Sequence, residues 1–134
     1  MPKHSNTAVL FLVLAGAQAS AQPQSLQVEG KAGYLSEWQI DGTLTQVNGA
    51  ANGTEEFAGP LTWTHVGLCT VNGPETKRGE MRVQLSSSRS HSTVSVTMSI
   101  ERKQCIYSGD MASLSSGYMD CTDAKNIPFV ISIK

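Results

Sequence analysis

Three cysteines offer the most versatile chemistry in this sequence, because a thiol can serve as a nucleophile, a metal ligand or half of a disulfide. They are Cys69, Cys105 and Cys121, an odd number that allows three different single bridges. Cys105 and Cys121 are equidistant from Ser113, the middle of a predicted hairpin, and their parity places both on one face. Cβ atoms of opposed residues on paired strands lie about 4.5–5.5 Å apart, within adjustment of a disulfide. We therefore predict a Cys105–Cys121 disulfide.

Two other cysteine arrangements remain open: a bridge from Cys69 to either partner, or no bridge at all. As the leftover cysteine, Cys69 is predicted to be a small buried residue, because Leu68 and Val71 offer nothing that would activate its thiol. His65 precedes Cys69 by four residues, but such positions on a strand lie about 13 Å apart. No second His/Cys pair completes a structural zinc site, so we predict no metal site.

The nucleophilic and acidic residues form no arrangement typical of an enzyme. The G-x-S-x-G turn of serine hydrolases is absent, and the serine-rich stretches 86–88 and 113–116 fall at predicted hairpin tips. Glu55 and Glu56 are adjacent and splayed outward, unlike the opposed carboxylates of glycosidases. A phosphate-binding loop needs a following helix, which the pattern does not predict. We therefore predict no catalytic residues and no cofactor.

Three aromatic residues are the candidates for contact with a ligand. Trp38 and Trp63 share the parity of the apolar face of their strands, which favours core packing, with the lining of a ligand cavity as the alternative. Tyr118 has the opposite parity to Met119 and Cys121, so it is predicted to be exposed.

The elements that must position these residues are predicted to be strands, because apolar and polar side chains alternate from Tyr34 to Ile133. The clearest strand alternates four apolar residues with Ser and Thr: Val94, Val96, Met98 and Ile100. Asn-Gly pairs and serine-rich turns separate such runs. Seven or eight short strands joined by short turns indicate an all-β antiparallel meander that closes as a barrel or as a two-sheet sandwich.

Two of the predicted strands carry more specific expectations. The first spans residues 34–46, and its apolar face has four residues: Tyr34, Trp38, Ile40 and Leu44. The second spans residues 57–64 and contains Pro60, which has no N–H to donate. That strand is therefore predicted to lie at a sheet edge or to bulge at the proline.

The chain is predicted to consist of a signal peptide over residues 1–21, a flexible lead-in over 22–32 and a single β-domain over 33–134. The first segment has a basic start at Lys3, an apolar run about half as long as a membrane span, and small residues before Gln22. The lead-in has few bulky apolar residues and room for one short strand around residues 26–28. We expect the mature protein to be exported, to the periplasm or the extracellular medium, with no integral membrane segment.

Charge narrows the range of partners. The 134 residues include 10 Lys and Arg and 11 Asp and Glu, and cleavage would remove only Lys3, which leaves a net charge of −2. A nearly neutral surface with dispersed charges does not attract nucleic acid or anionic lipid. The expected partner is therefore a protein or a small ligand.

Three functions follow from these expectations. The first is an exported, non-catalytic binding or inhibitor-like module that docks through loops or a sheet edge, because rigid β-scaffolds often recognise partners through loops. The second is a small barrel that carries an apolar ligand between Trp38 and Trp63. The third is an enzyme of unfamiliar design that uses His65 and the acidic turn residues Asp110, Asp120 and Asp123.

Overall fold

Segments in which apolar and polar side chains alternate form eight antiparallel strands. These strands make a closed barrel in sequence order, with β8 paired to β1. The computed structural model describes residues 22–51, 53–67, 71, 73–111 and 116–134. The strands are β1 (Ser25–Ala32), β2 (Trp38–Ala51), β3 (Thr54–His65), β4 (Thr76–Ser87), β5 (Ser92–Ile100), β6 (Lys103–Asp110), β7 (Gly117–Cys121) and β8 (Ile127–Ile133). The predicted all-β meander is thus confirmed, and of its two closures the barrel is the one formed. The predicted signal peptide lies outside the described residues.

The core consists of the inward side chains of all eight strands. One layer crosses four strands through the register pairs Phe57↔Val83, Val83↔Val96 and Val96↔Tyr107, and the Tyr107 ring lies 5.3 Å from that of Phe129. All five residues are buried. Because an eight-stranded barrel is only just wide enough for its own side chains, this layer fills the interior. Among the described residues, no helix is long and apolar enough to cross a membrane.

The predicted flexible lead-in is wrong for most of its length, because residues 25–32 form β1. This strand pairs with β2 from Ser25↔Thr45 to Ala32↔Trp38 and with β8 from Val28↔Ile133 to Ala32↔Phe129. Its inward positions include the small residues Gly30 and Ala32, which weaken the hydrophobic pattern. A Cβ on Gly30 would lie 2.6 Å from the carbonyl oxygen of Val130, so close approach of β8 explains the glycine.

Tyr34 corrects a second expectation, because it does not belong to the apolar face of a strand. Its side chain is 73% exposed, and β2 begins only at Trp38. The intervening segment is a turn in which Gly33 and Ser36 have positive φ angles of 101° and 53° and the Ser36 N–H donates to the Gly33 carbonyl. The glycine permits this reversal, which points Tyr34 and Leu35 into solvent.

Pro60 lies neither at an edge nor at a bulge, contrary to the prediction. Strand β3 is paired with β2 on one side and with β4 on the other, and Pro60 is in register with Glu80 of β4. The register with β2 is the same before and after the proline, from Gly42↔Leu61 to Thr45↔Ala58, and it shifts only beyond Gln46. A Cβ on the neighbouring Gly59 would collide with the Thr43 carbonyl, which shows how closely the two backbones approach here.

Candidate functional site

One end of the barrel gathers residues from all eight strands around a pocket of about 260 Å³. The pocket lies where β1, β3, β5 and β7 end and where β2, β4, β6 and β8 begin, so residues distant in sequence meet there. We call it the tryptophan mouth and define it by six of its lining residues: Trp38, Trp63, Lys77, Lys103, Cys121 and Asp123.

The two tryptophans form the apolar wall of the mouth. Trp63 is opposed to Ile40 and Trp38 to His65 in the β2–β3 ladder, so the two indoles are diagonal neighbours on the inner face. Their ring centroids lie 6.0 Å apart, and the His65 ring meets Trp38 edge-on at 4.7 Å. Both tryptophans pack with the core, as their parity predicts, and both also line the pocket. Core packing of these two residues is therefore compatible with a place in the pocket wall.

Trp63 carries the one buried side-chain nitrogen or oxygen that lacks a hydrogen-bond partner among the described residues. The residue is only 8% exposed, and its indole N–H finds no acceptor there. Buried polar groups are nearly always paired, because an unmade hydrogen bond costs about 1–3 kcal/mol. The nitrogen is closed off from the pocket, which other atoms of Trp63 line.

Lys77 supplies a positive charge next to the indoles. It is opposed to Trp63 in the β3–β4 ladder, and its Nζ lies 4.9 Å from the centroid of the Trp38 ring, a cation–π contact. Its carboxylate neighbour is Glu75 at 3.5 Å, whose side chain is 57% exposed. Because Glu75 faces solvent, this ion pair neutralises the lysine only weakly.

A second ion pair lines another part of the mouth. Lys103, at the start of β6, pairs with Asp123 in the β7–β8 turn, and both side chains are about half exposed. The hydrogen bond to Asp123, helped by its charge, raises the pKa of Lys103. The hydrogen bond from Lys103 lowers the pKa of Asp123. Both groups are therefore held in their charged forms.

A disulfide between Cys105 and Cys121 forms part of the pocket wall, as the sequence predicts. The two cysteines are directly opposed on β6 and β7, and both are buried. The described ladder between these strands has only one further pair, Ile106↔Asp120. The covalent bond therefore holds the wall where backbone pairing is shortest. Cys69 lies outside the described residues.

The acidic turn residues proposed for an enzyme do not gather at one place. Asp110 ends β6 at the end of the barrel opposite to Asp123, and the Asp120 carboxylate accepts a hydrogen bond from the Asn126 backbone N–H. His65 packs its ring against Trp38. In the described part of the chain, no group of three or more His, Cys, Asp or Glu side chains could hold a metal ion.

Tyr118 is separate from the mouth. Its side chain is 68% exposed, as parity predicts, and it lies on the outer wall beside a shallow groove that Ile106 also lines. Of the three candidate aromatics, the fold thus brings together only Trp38 and Trp63.

The mouth brings together two indole rings and two ammonium groups, each paired with a carboxylate. Protein-family models, curated proteins and solved structures give no match to this chain. The geometry of the mouth is therefore the basis for a proposed function.

Sequence reasoning missed the two lysines, although a signal for both existed. Lys77 has the parity of the inward residues Met81 and Val83 of β4, and Lys103 has that of Cys105 and Tyr107 of β6. A charged residue in phase with an apolar face, at the end of a strand, is a candidate for the mouth of a barrel.

Proposed function

We propose that this protein is an exported, non-catalytic barrel that binds a small molecule in the tryptophan mouth. The observation that carries the proposal is the wall of this pocket, which combines the indoles of Trp38 and Trp63 with the ammonium group of Lys77. A bound molecule would place its apolar part against the two indoles and a polar group near the lysine. Small-molecule sites commonly combine an apolar lining with a few placed polar groups.

Export is supported by the disulfide and by the segment that precedes the barrel. Disulfides persist in the periplasm and outside the cell and are rare in the reducing cytosol. The Cys105–Cys121 bond fits such a compartment, and the basic, apolar and small residues of segment 1–21 are those of a cleavable signal. Mass spectrometry of the protein from its own host should give the mass of a chain that starts at Gln22. Retention of residues 1–21 would contradict this part of the proposal.

Native mass spectrometry of the mature protein purified from its host tests the binding function. We expect an adduct of a small molecule on the wild-type protein that disappears under denaturing conditions. Trp63→Phe, which replaces one of the two indoles of the mouth by a smaller ring, should lose most of the adduct. Tyr118→Phe, which removes a polar group from an aromatic residue outside the mouth, should keep it. A wild-type protein with a clean mature mass, or an adduct of equal amount in both variants, would contradict the proposal.

A protein partner that caps the mouth is a second candidate function, and the turn between β1 and β2 favours it. Tyr34 and Leu35 on this turn are 73% and 89% exposed, and Tyr34 also lines the mouth. Exposed apolar side chains on the rim of a rigid scaffold are suited to docking in the apolar pocket of a partner. Among the described strands no end strand is left free for docking, because closure pairs β8 with β1.

The two candidates differ in the residues on which they depend. A protein captured from the host envelope should be lost with the double variant Tyr34→Ser/Leu35→Ser and retained with Trp63→Phe. If the double variant captures the same protein as the wild type, the β1–β2 turn is not a docking surface.

A further inference from the structure

We infer that the outer wall formed by β6, β7 and β8 is an interaction surface, and that its partner is a second copy of this chain in a weak two-fold dimer. The surface is separate from the tryptophan mouth and goes beyond the proposed binding function. Exposed apolar side chains that lie side by side on this wall indicate an interface, and the charges at the two ends of their row indicate the partner.

Exposed apolar side chains within the strands are concentrated on this wall. Among the described strand residues, four large hydrophobic side chains are exposed: Val47, Ile106, Tyr118 and Val130. The last three lie on the neighbouring strands β6, β7 and β8. By contrast, the outward side chains of β5 are all Ser or Thr, and those of β4 from residue 78 to residue 84 are charged or carry an amide. The apolar surface is therefore a feature of one wall.

The register of the strands places these side chains in one continuous diagonal row. Ile106 of β6 is opposed to Asp120 of β7, which is two residues from Tyr118. Tyr118 is opposed to Pro128 of β8, which is two residues from Val130. Diagonal neighbours on one face of a sheet are within reach of aromatic and long side chains. We call Ile106, Tyr118, Pro128 and Val130 the apolar row.

The exposure of the apolar row favours association with another surface. Tyr118 is 68% exposed, Ile106 50% and Val130 42%. Exposed apolar side chains that form a contiguous patch of a few hundred Å² are often an interaction site, whereas isolated ones are common on any surface. A shallow groove flanks the row on each side, one beside Tyr118 and the other beside Val130. The tyrosine of a second copy therefore has a place to lie.

The charges at the ends of the apolar row suit a second copy of the same chain. Asp120 is opposed to Ile106 at one end, and Lys31 of β1 is opposed to Val130 at the other. Neither Asp120 nor Lys31 forms an ion pair with another described residue. When two copies meet face to face with their rows antiparallel, Asp120 of each copy comes next to Lys31 of the other. A two-fold contact forms this pair twice.

The other charges near the apolar row do not oppose this arrangement. Lys125 lines the groove beside Asp120. Glu29, two residues from Lys31, is paired with Lys134 at 2.9 Å. An acid and a base thus lie near each end of the row, and two copies meet without an excess of one charge. Because the whole chain is also nearly neutral, long-range repulsion between copies is small.

The size of the surface determines the strength of the dimer. Stable interfaces bury about 1,200–2,000 Å² in total, with about 20–30 residues from each partner. The apolar row and its charged ends lie on a convex wall, so only the outward side chains of β6, β7, β8 and β1 come into contact. We therefore expect a reversible dimer with a dissociation constant of about 10–100 µM.

Sedimentation equilibrium of the mature protein tests the dimer. The average mass should rise from that of one chain toward twice that value between about 10 µM and about 1 mM. Tyr118→Ser, which removes the most exposed side chain of the row, should raise the dissociation constant by about tenfold or more. Tyr34→Ser removes a tyrosine of similar exposure from the β1–β2 turn and should leave the constant unchanged. A wild-type protein that stays monomeric at about 1 mM, or a dimer that tolerates Tyr118→Ser, would overturn the inference.

An exchange of charges tests how the two copies face each other. Lys31→Asp brings two acids together in the dimer, and Asp120→Lys brings two bases together. Each should weaken the dimer by about tenfold, because each contact occurs twice. Both side chains are exposed, so the fold should tolerate these changes. The double variant restores opposite charges across the two-fold axis and should return the dissociation constant to nearly the wild-type value. A double variant as weak as the single variants would contradict the antiparallel arrangement.

A different protein as the partner of the apolar row is a separate outcome of these experiments. If the chain stays monomeric and a host protein is captured in a way that depends on Tyr118, the inference of a second copy is overturned. The proposed function is tested independently, because Tyr118 lies outside the tryptophan mouth. An adduct lost with Trp63→Phe supports the mouth whether or not a dimer forms.

Discussion

At the scale of single residues, Trp63 is the position where the core and the mouth make opposite demands. Its ring contributes apolar contact to the core, but its buried N–H has no acceptor among the described residues. A core selected for stability alone would favour a residue without that polar group. Substitutions at Trp63 should therefore affect ligand binding and the free energy of unfolding to different extents.

The first prediction concerns the stability of Trp63→Phe. Loss of apolar contact destabilises the fold, whereas removal of an unpaired donor relieves about 1–3 kcal/mol, so the two effects should nearly cancel. We expect the free energy of unfolding in urea to change by less than about 1 kcal/mol, compared with a loss of about 3–5 kcal/mol for Phe57→Ala in the filled layer. A loss above about 2 kcal/mol would mean that the Trp63 N–H has an acceptor in the folded protein.

The second prediction concerns the Lys103–Asp123 pair. Because the folded pKa of Asp123 is lowered, its contribution to stability is present above the unfolded pKa and is lost as the pH falls through the folded pKa. Because the folded pKa of Lys103 is raised, its contribution is present below the unfolded pKa and is lost as the pH rises through the folded value. The pair therefore stabilises the fold between these two ranges.

Asp123→Asn should accordingly lower the melting temperature slightly near about pH 7 and have a smaller effect near about pH 2, because the contribution of the carboxylate is lost as the pH falls through its folded pKa. Glu80→Gln, on the outer face of β4, is the control. An equal effect of Asp123→Asn at both pH values would assign the stabilisation to something other than charge.

At the scale of elements, the contact between β6 and β7 has the shortest described ladder in the wall. It has two register pairs, against eight between β5 and β6, and one of the two is the disulfide. Tyr107 supports the contact from inside: a Cβ on Gly109 or Gly117 would collide with its ring. The wall is thus held by one covalent bond, one buried aromatic side chain and the hydrogen bonds between Gln104 and Thr122 at the end of the ladder.

The third prediction follows from this short ladder. Reduction of the disulfide, or Cys105→Ser combined with Cys121→Ser, should lower the free energy of unfolding by about 3 kcal/mol, as expected for a closed loop of this length. Amide exchange should accelerate in β7 more than in β5. Cys69→Ser should leave both measurements unchanged. A non-reducing peptide map that joins Cys69 to another cysteine would contradict the pairing.

The elements also show what sequence reasoning reached and where it failed. Parity along the strands predicted the burial of Ile40 and Leu44, the exposure of Tyr118 and the pairing of the cysteines, because each depends only on the two-residue period. Strand β1 was anticipated only as a short strand around residues 26–28, because the small inward residues beyond them give little hydrophobic signal. The mouth itself was missed because it depends on which strand ends meet, and this is decided by barrel closure rather than by local pattern.

At the scale of the whole molecule, closure between the first and last strands determines the architecture. The pairs from Val28↔Ile133 to Ala32↔Phe129 join the first strand to the last. Beyond these pairs, Gln27 and Lys134 exchange backbone hydrogen bonds. Such contacts have the greatest sequence separation in the fold, so they are the most expensive in chain entropy. With them in place, every described strand has a paired neighbour on each side, although the β6–β7 and β7–β8 ladders are short.

The fourth prediction tests closure at Gly30. In Gly30→Ala the new methyl group would lie 2.6 Å from the Val130 carbonyl oxygen, which belongs to the backbone and can move only with β8. We expect a loss of about 1–3 kcal/mol in the free energy of unfolding, typical of overpacking, and faster amide exchange in β1 and β8. Lys31→Ala, the next residue on the exposed face, should change little. Equal stability of the two variants would show that β1 and β8 can separate without cost.

The up-and-down order of the strands also determines at which end of the barrel β1 starts and β8 finishes. Ser25 and Ile133, where the first strand starts and the last one finishes, both lie at the pole of the barrel opposite the tryptophans. A protein tethered to a sensor chip or a bead through a C-terminal linker would therefore hold its mouth toward the solution. Attachment through a side chain of the β1–β2 turn would instead turn the mouth toward the support and obstruct it.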